Sequence, residues 1–344
     1  MKANLNTNQS NNIAENRTLV FTHGGGRFGN QMFSYAQLLA FTLEYKNIDF
    51  INMACWEYAD LLETGQQDAI CSKSSQKHPF YRFLCFVCTT LYIKNDSVAK
   101  NIIIHLLYFY AGNPLAKHYG AQSICVKKDW TDEKLLMAQK LQNLDLADSS
   151  SFNLINQSKI TLLSGWGICD WKLVKKHQNK IREILRIRCK YFDIGDSFIA
   201  DKRQKYDFMV GVMIRQGDYK MWKDGQYYFS TEQYSVWIDQ LSEVFQYRGK
   251  VGFVLASDAA QNLKDFTNPN IHFTTGIASS SGHYIESISQ LSFCDVIISP
   301  PSSFSLWAAF LGDIPFIPLT DSQQVMVTES VLNKSFFDCV KIAY

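Results

Sequence analysis

The sequence predicts an α/β fold built on parallel, doubly wound sheets, divided into two units that face each other across a cleft. Three observations lead there. Residues 17–53 read as strand, glycine-rich turn, helix and strand. From residue 208 onward, apolar strands alternate with helical segments. The strands end in turns that carry hydroxyls, glycine or arginine. Strands and helices alternating at this pitch form βαβ units with parallel strands.

Thr18–Phe21 is short, apolar and β-prone, and His23–Asn30 holds four glycines. Gln31–Tyr45 has apolar residues at Met32, Tyr35, Ala36, Leu39, Ala40 and Leu43, which is helical spacing. Ile48–Met53 is the next strand. In residues 54–165, Thr131-Asp132-Glu133-Lys134 signals a helix start, and the spacing predicts a helix over Thr131–Leu144. A basic amphipathic helix is expected over Asp170–Ile187. Phe208–Ile214 and Val251–Ala256 are buried strands, with a helix over Thr231–Phe245 between them and Thr231 as its N-cap. Helices over Ser257–Phe266, Tyr284–Phe293 and Ser303–Leu311, and strands over Val296–Ser299 and Ile314–Pro318, complete the alternation. The expected division is a tail at 1–16, an N-terminal unit at 17–190, a C-terminal unit at 205–325 and a closing segment at 326–344.

With 344 residues, 47% hydrophobic and 19% charged, the chain has apolar material for more than one core and is not a disordered protein. A net charge of +2 with no long Lys/Arg block excludes a dedicated nucleic-acid binder. The nine cysteines lack metal-ligand spacing. Cys85 and Cys88 form a C-x-x-C inside an apolar run, with no second pair or nearby histidines, and read as buried thiols in a reducing compartment. Residues 1–16 are polar and Asn-rich without a hydrophobic core, so a disordered tail rather than a secretory leader is expected. Phe80–Ile93 and Ile102–Ala111 fall short of the ~20 residues of a membrane span. They read either as core helices or as an interfacial surface. The expected location is cytoplasmic, with peripheral contact at the inner face of the membrane as the second option.

Three motifs can carry chemistry. Gly24, Gly26 and Gly29 fit G-x-G-x-x-G after a strand and before a helix, with Asp49 near the expected place of a ribose-binding acid. Glycines permit close backbone approach and a helix N-terminus attracts anions, so a dinucleotide, another polar ligand or a structural turn all fit. Arg215-Gln216-Gly217-Asp218 follows a buried strand, the carboxyl edge where α/β sheets bind ligands, and Arg offers a planar fork for phosphate oxygens. A surface Arg–Asp pair is the alternative. Ser302-Ser303-Phe304-Ser305 occupies the same edge after Val296–Ser299, and Ser257-Asp258 does so one strand over; each is also what a helix cap looks like. D-x-D, Walker, G-x-S-x-G and H-E-x-x-H patterns are absent.

Together these segments resemble the α-1,2-fucosyltransferase family. Gly26-Arg27-Phe28-Gly29-Asn30-Gln31-Met32-Phe33-Ser34-Tyr35-Ala36 is similar to its opening G-R-L-G-N-Q-M-F-Q-Y-A. Gly211–Tyr219 resembles its H-x-R-R-x-D-Y segment, Leu255-Ala256-Ser257-Asp258 its F-S-D strand end, and Ser302–Ala309 its S-T-F-S-W-W-G-A. The resemblance implies a GT-B architecture, GDP-fucose as donor substrate, inversion, and no metal or other cofactor. The implied acceptor is a glycan hydroxyl, on an oligosaccharide or a lipid-linked chain, with α-1,2 linkage. Arg215 corresponds to the arginine holding the diphosphate. Ser257, Asp258, Ser302, Ser303 and Phe304 fall in donor-binding segments, and Gly26, Arg27, Asn30 and Gln31 in the N-terminal loop facing the cleft. Met213 stands where the family has His, and Gln216 where it has a second Arg, so Gln216 is expected to serve the donor through neutral hydrogen bonds.

In such a transfer, charge develops on the leaving diphosphate and fixed cations and amides stabilise it. Arg215 with Ser302 and Ser303 is the expected group. Asp218 is the expected base or the residue that orients Arg215, with His23 and Glu286 as other bases. The rival functions are an NAD(P)-dependent oxidoreductase using Gly24–Gly29 and a non-catalytic glycan-binding homologue.

Overall fold

A computed structural model of the chain describes residues 17–63, 120–126, 139–278, 280–320 and 335–343, with single positions at 102, 106, 107, 118, 332 and 333. The tail at 1–16, Cys85 and Cys88, Phe80–Ile93 and most of Ile102–Ala111 lie outside the described residues.

The first unit grows from the apolar run at its start. β1 (Arg17–His23) leads through the glycine turn into α1 (Phe28–Glu44) and β2 (Ile48–Asn52). β2 pairs parallel with β1 from Arg17↔Ile48 to Phe21↔Asn52. β3 (Ala121–Val126), β4 (Gln139–Leu141) and β6 (Ile160–Gly165) extend this sheet to the order β2-β1-β6-β3-β4, all parallel. β5 (Leu144–Asp145) and β7 (Ile168–Cys169) form a small separate pair, and α2 (Ser149–Asn156) lies between β5 and β6. α3 (Trp171–Lys176), α4 (Gln178–Ile184) and α5 (Cys189–Arg203) lead into the second unit.

There β8 (Phe208–Ile214), α6 (Thr231–Phe245), β9 (Val251–Ser257), β10 (Ile271–Phe273), α7 (Tyr284–Ser292), β11 (Val296–Ser299), α8 (Ser303–Gly312) and β12 (Phe316–Pro318) alternate. The sheet order is β10-β9-β8-β11-β12, all parallel. Counted within the unit this is 3-2-1-4-5, the doubly wound pattern whose order reverses between its first and fourth strands. β8 and β9 are buried along their whole length, as the unbroken apolar runs of a parallel sheet require.

One helix joins the two units. α1 is buried from Phe28 to Phe41 except at Asn30, an apolar surface too wide for a helix with one solvent face. It lies on its own sheet and against α8 of the other unit, within one continuous hydrophobic cluster. The Phe33 ring sits edge-on to Trp171 at 5.5 Å and to Trp307 at 5.2 Å, and stacks on Phe336 at 6.3 Å. Phe336 belongs to α9 (Phe336–Ala343), which therefore returns to the first unit. Arg182 of α4 reaches the far end of α8, where Nε donates to the Phe310 carbonyl at 2.7 Å and Nη2 to Asp313 Oδ1 at 2.8 Å. A cation at a helix C-terminus meets carbonyls with no partner in the helix.

Four expectations change. Of Thr131–Leu144, residues 131–138 are not described. The rest holds no helix: Gln139–Leu141 is a strand paired with the open edge of β3, and after Gln142 and Asn143 Leu144 begins β5, buried against its own partner strand. The helix over Asp170–Ile187 is two helices broken at His177, whose Nε2 lies 2.8 Å from Glu44 Oε2 of α1, and it ends by Ile184. The N-cap of α6 is Ser230, whose Oγ accepts from the Gln233 amide, and not Thr231. Ser257–Phe266 is not a helix: β9 runs through Ser257, and a loop follows with one 3₁₀ turn at Leu263–Asp265. The Asp258 carboxylate that would cap that helix is turned onto another loop, as described below. α5 has no counterpart in the sequence reading. Only Gly195 and Ile199 are buried in it, so its apolar stripe is faint. Gly195 is there because a Cβ would stand 2.2 Å from Ser289 Oγ of α7. Among the described residues no helix is long and apolar enough to cross a membrane.

The contact between α1 and α8 is closest at Gly29, where an added Cβ would stand 2.6 Å from the Ser303 carbonyl carbon and oxygen. Backbone cannot rotate away as a side chain can. Gly29→Ala is therefore expected to destabilise the protein by about 1–3 kcal/mol, read as a lowered midpoint in denaturant unfolding, whereas Ser34→Ala on the same helix leaves it nearly unchanged.

Candidate functional site

β8 ends at Ile214, fully buried, and the next residue is Arg215 at the point where the strand order reverses. Its side chain is 13% exposed and held from three sides. Nη2 donates to Asp218 Oδ1 at 2.8 Å, and Nη1 lies 2.9 Å from Asp258 Oδ2 as an ion pair without hydrogen-bond alignment. The guanidinium carbon lies 4.6 Å from the centre of the Tyr219 ring. Nε is buried and has no hydrogen-bond partner. Two carboxylates thus surround one cation at the floor of the cleft.

Asp258 does more than pair with Arg215. Its Oδ1 accepts from the backbone amides of Gln216 at 2.8 Å and Gly217 at 3.3 Å. The carboxylate at the end of β9 thereby shapes the loop that follows β8. A Cβ at position 217 would stand 3.0 Å from Asp258 Oδ2, so glycine leaves room for this contact. The Arg215 amide in turn donates to the Tyr234 hydroxyl at 3.3 Å. Tyr219 is buried and its hydroxyl donates to the Pro301 carbonyl, tying this loop to the one after β11. Burial pushes the Tyr219 phenol above its ordinary pKa, and the nearby Arg215 opposes that rise.

The turn after β11 brings up the N-terminus of α8. Ser302 is its N-cap but makes no side-chain cap bond, because its hydroxyl interacts with the Tyr219 phenol. The first-turn amides of α8 have no partners within the helix, and Ser302, Ser303 and Phe304 line the cleft. Across from them is the glycine loop. Gly26 has φ +74°, and a Cβ on Gly25 would stand 2.6 Å from the Trp166 ring. The cleft between these elements has a volume of about 1030 Å³.

Gly26, Arg27, Asn30, Arg215, Asp218, Ser257, Asp258, Ser302, Ser303 and Phe304 all line this cleft. Gln31 does not. It is buried behind the loop, with Nε2 directed at the Gly25 carbonyl at 3.5 Å. Gln216 also faces away: its carboxamide is bonded to the Phe229 carbonyl, Thr231 Oγ1 and Gln261 Nε2, so it does not serve a ligand in the cleft. Glu286 is a structural cap, its carboxylate accepting from the His283 amide and from Thr275 Oγ1. Asp49 pairs with Thr18 at the start of β2, roughly 16 Å of strand away from the glycine loop, and is buried. It cannot meet a ribose held at that loop. The side chain of His23 lies outside the described set. Among the described residues no group of three His, Cys, Asp or Glu side chains could hold a metal ion.

The cleft also contains aromatic residues that were not among the expected site residues: Tyr58, Trp166, Tyr219 (which closes the Gly211–Tyr219 motif), Trp222, Tyr227 and Tyr284. The run Met221-Trp222…Tyr227-Tyr228-Phe229 was visible as an aromatic-rich loop after a strand, but nothing local says which rings face a ligand.

Residues 176–331 match the family model described as glycosyl transferase family 11. No curated protein matches the chain in sequence. Among solved structures, it is similar to a mutant of Arabidopsis thaliana FUT1 in complex with GDP, at 12% identity and TM-score 0.51, covering 93% of this chain and 74% of that one. It is also similar to the fucosyltransferase NodZ from Bradyrhizobium, at 14% identity and TM-score 0.49, covering 91% and 98%. The mixed α/β architecture with parallel sheets is shared with that FUT1 structure. The family match spans Arg215, Ser257, Asp258 and Ser302, so the site described here lies mainly within the glycosyltransferase segment.

Removing the Asp258 carboxylate strands two backbone amides and one side of Arg215. Asp258→Ala is expected to cost about 2–3 kcal/mol of stability, and Asp258→Asn, which keeps an acceptor for the amides, about 1 kcal/mol. Equal losses in urea unfolding would show that the carboxylate acts through charge alone.

Proposed function

We propose that this glycosyltransferase moves L-fucose from GDP-fucose to a hydroxyl of a glycan acceptor, with inversion and in α-1,2 linkage. The observation that carries this reading is Arg215 at the order reversal of the second sheet, facing the uncapped N-terminus of α8. A fixed cation and free helix amides converging on one cleft suit a diphosphate leaving group. The family match supports glycosyl transfer, and the structural neighbours, one with GDP, support the nucleotide.

In this reading residues 205–325 hold the donor and 17–190 the acceptor side. The acceptor oxygen attacks the anomeric carbon as the bond to the β-phosphate oxygen breaks. Negative charge appears on GDP, where Arg215 and the amides of Ser303 and Phe304 stabilise it without reorganising. For Arg215 to engage phosphate it turns part of its fork from a carboxylate to the ligand, and the half-exposed Asp218 is the freer of the two. The proton of the acceptor hydroxyl passes to Asp218, whose half-exposed carboxylate is released as Arg215 turns to the phosphate. Asp258 has a positioning role through the loop amides. No step calls for a metal, since the cationic field comes from side chain and backbone.

Arg215→Lys is expected to lower kcat/KM for GDP-fucose by about 10²–10³-fold, close to the loss in Arg215→Ala, because a point charge cannot replace a planar fork. A lysine variant with most of the wild-type activity would refute the diphosphate role. Transfer is also expected to persist in excess EDTA; loss of activity restored by Mn²⁺ or Mg²⁺ would show that a metal supplies the charge instead. Product linkage, read by NMR, tests the α-1,2 assignment.

A further inference from the structure

The loop between β8 and α6 presents a row of tilted rings that runs outward from the Arg215 site. Tyr219 and Trp222 have centroids 4.9 Å apart at 38°, and Trp222 and Tyr227 are 5.5 Å apart at 35°. All three line the cleft. The inner end of the row is fixed: Tyr219 is 5% exposed, bonded to Pro301 and covered by Arg215. The outer end is open, with Trp222 39% and Met221 85% exposed. A large indole left in solvent at a cleft wall, when the same chain buries Trp237 and Trp307 fully, has surface available for a ligand.

The backbone holds this ring in place. Lys223 (φ 48°, ψ 47°) and Asp224 (φ 55°, ψ 29°) are left-handed, followed by Gly225 at φ 77°. Non-glycine residues adopt this region rarely and single positions of this kind cluster at ligand clamps. The left-handed turn folds the chain back so that Trp222 and Tyr227, five residues apart, meet. The Lys223 ammonium lies 5.0 Å from the Trp222 ring centre and 5.5 Å from that of Tyr227, on an exposed side chain. The negative face that attracts this cation attracts the polarised C–H groups of a pyranose in the same way.

We propose that Trp222, backed by Tyr219 and Tyr227, is the stacking platform for a neutral pyranose ring of the acceptor glycan and sets acceptor preference. The inference rests on the glycosyl-transfer reading and names the acceptor's place in the same cleft. A purine could stack on an indole too, but the platform is at the mouth, whereas the buried hydroxyls of Ser257 and Ser287 line the interior, where a nucleotide finds hydrogen-bond partners. At about 1030 Å³ the cleft reaches the top of the roughly 300–1,000 Å³ range of single-ligand pockets, leaving space for a second substrate.

The test uses the full chain with Trp222→Ala and Trp222→Phe, on an array of neutral oligosaccharides in the presence of GDP. GDP affinity and acceptor-free hydrolysis of GDP-fucose are measured alongside. Trp222→Ala is expected to weaken binding of every glycan the wild type retains by tenfold or more, with Trp222→Phe recovering most of it and GDP affinity within twofold of wild type. Unchanged glycan binding in Trp222→Ala overturns the proposal, as does a wild type that binds no glycan on the array. A parallel loss of GDP affinity assigns the ring to the nucleobase and overturns it as well. Failure of wild type to hydrolyse GDP-fucose would count against the fucosyl donor, while the array still decides the platform. Unchanged thermal midpoints for both variants exclude misfolding, as expected for a ring this exposed.

Discussion

The approach of α1 to α8 is the contact on which the rest depends. Gly29 lies on the Ser303 backbone, and the rings of Phe33, Trp171, Trp307 and Phe336 fill the space behind it. Two helices from different sheets thereby bring their N-termini to one edge. The glycine loop of the first unit and the hydroxyl turn of the second become opposite walls of a single cleft. A side chain at position 29 would separate those walls at their base. The Arg182 contacts at the other end of α8 hold the same helix from its C-terminus, so α8 is gripped by the first unit along its length.

Within the cleft, the loop after β8 is organised by one carboxylate. Asp258 arrests the Gln216 and Gly217 amides and faces Arg215, which also meets Asp218 and the Tyr219 ring. Tyr219 passes this order on to the turn after β11 through Pro301. Three strand ends are therefore coupled through a handful of side chains, and the position of the cation is decided by its neighbours rather than by its own rotamer freedom. Such preorganisation is what a site stabilising developing charge requires. It also explains how a chain with Gln216 in place of a second arginine holds its loop: the amide side chain is bonded among Phe229, Thr231 and Gln261, outside the cleft.

The parts of the fold legible in the sequence share one property: their signal is local. Phe208–Ile214, Val296–Ser299 and Thr231–Phe245 have the observed boundaries because burial on both faces, or on one helical stripe, writes itself into consecutive residues. The elements misread depended on partners far along the chain. Gln139–Leu141 is polar and becomes strand only because β3 offers an edge. Ser257–Phe266 has a helix-capping look, yet Asp258 finds its partners 41 and 42 residues upstream. α5 is helical around a glycine that only the neighbouring Ser289 explains.

The candidate site divides in the same way. Sequence alone determined the residue types at the strand ends: Arg215 and Asp218 after β8, Ser257 and Asp258 after β9, Ser302 to Phe304 after β11, and the glycines before α1. Parallel sheets gather their carboxyl ends, so residues with these local patterns converge once the strand order is set. What only the tertiary structure decided is direction. It turned Gln31 and Gln216 away from the cleft, made Glu286 a cap, left Asp49 at the wrong end of its strand, and brought Trp222 and Tyr227 together at the mouth. Gln31 and Gly25, Glu286 and His283, and Trp222 and Tyr227 are near neighbours in sequence, but the way each side chain turns is set by the path of the backbone between them, and that path is fixed by packing against strands and helices far along the chain.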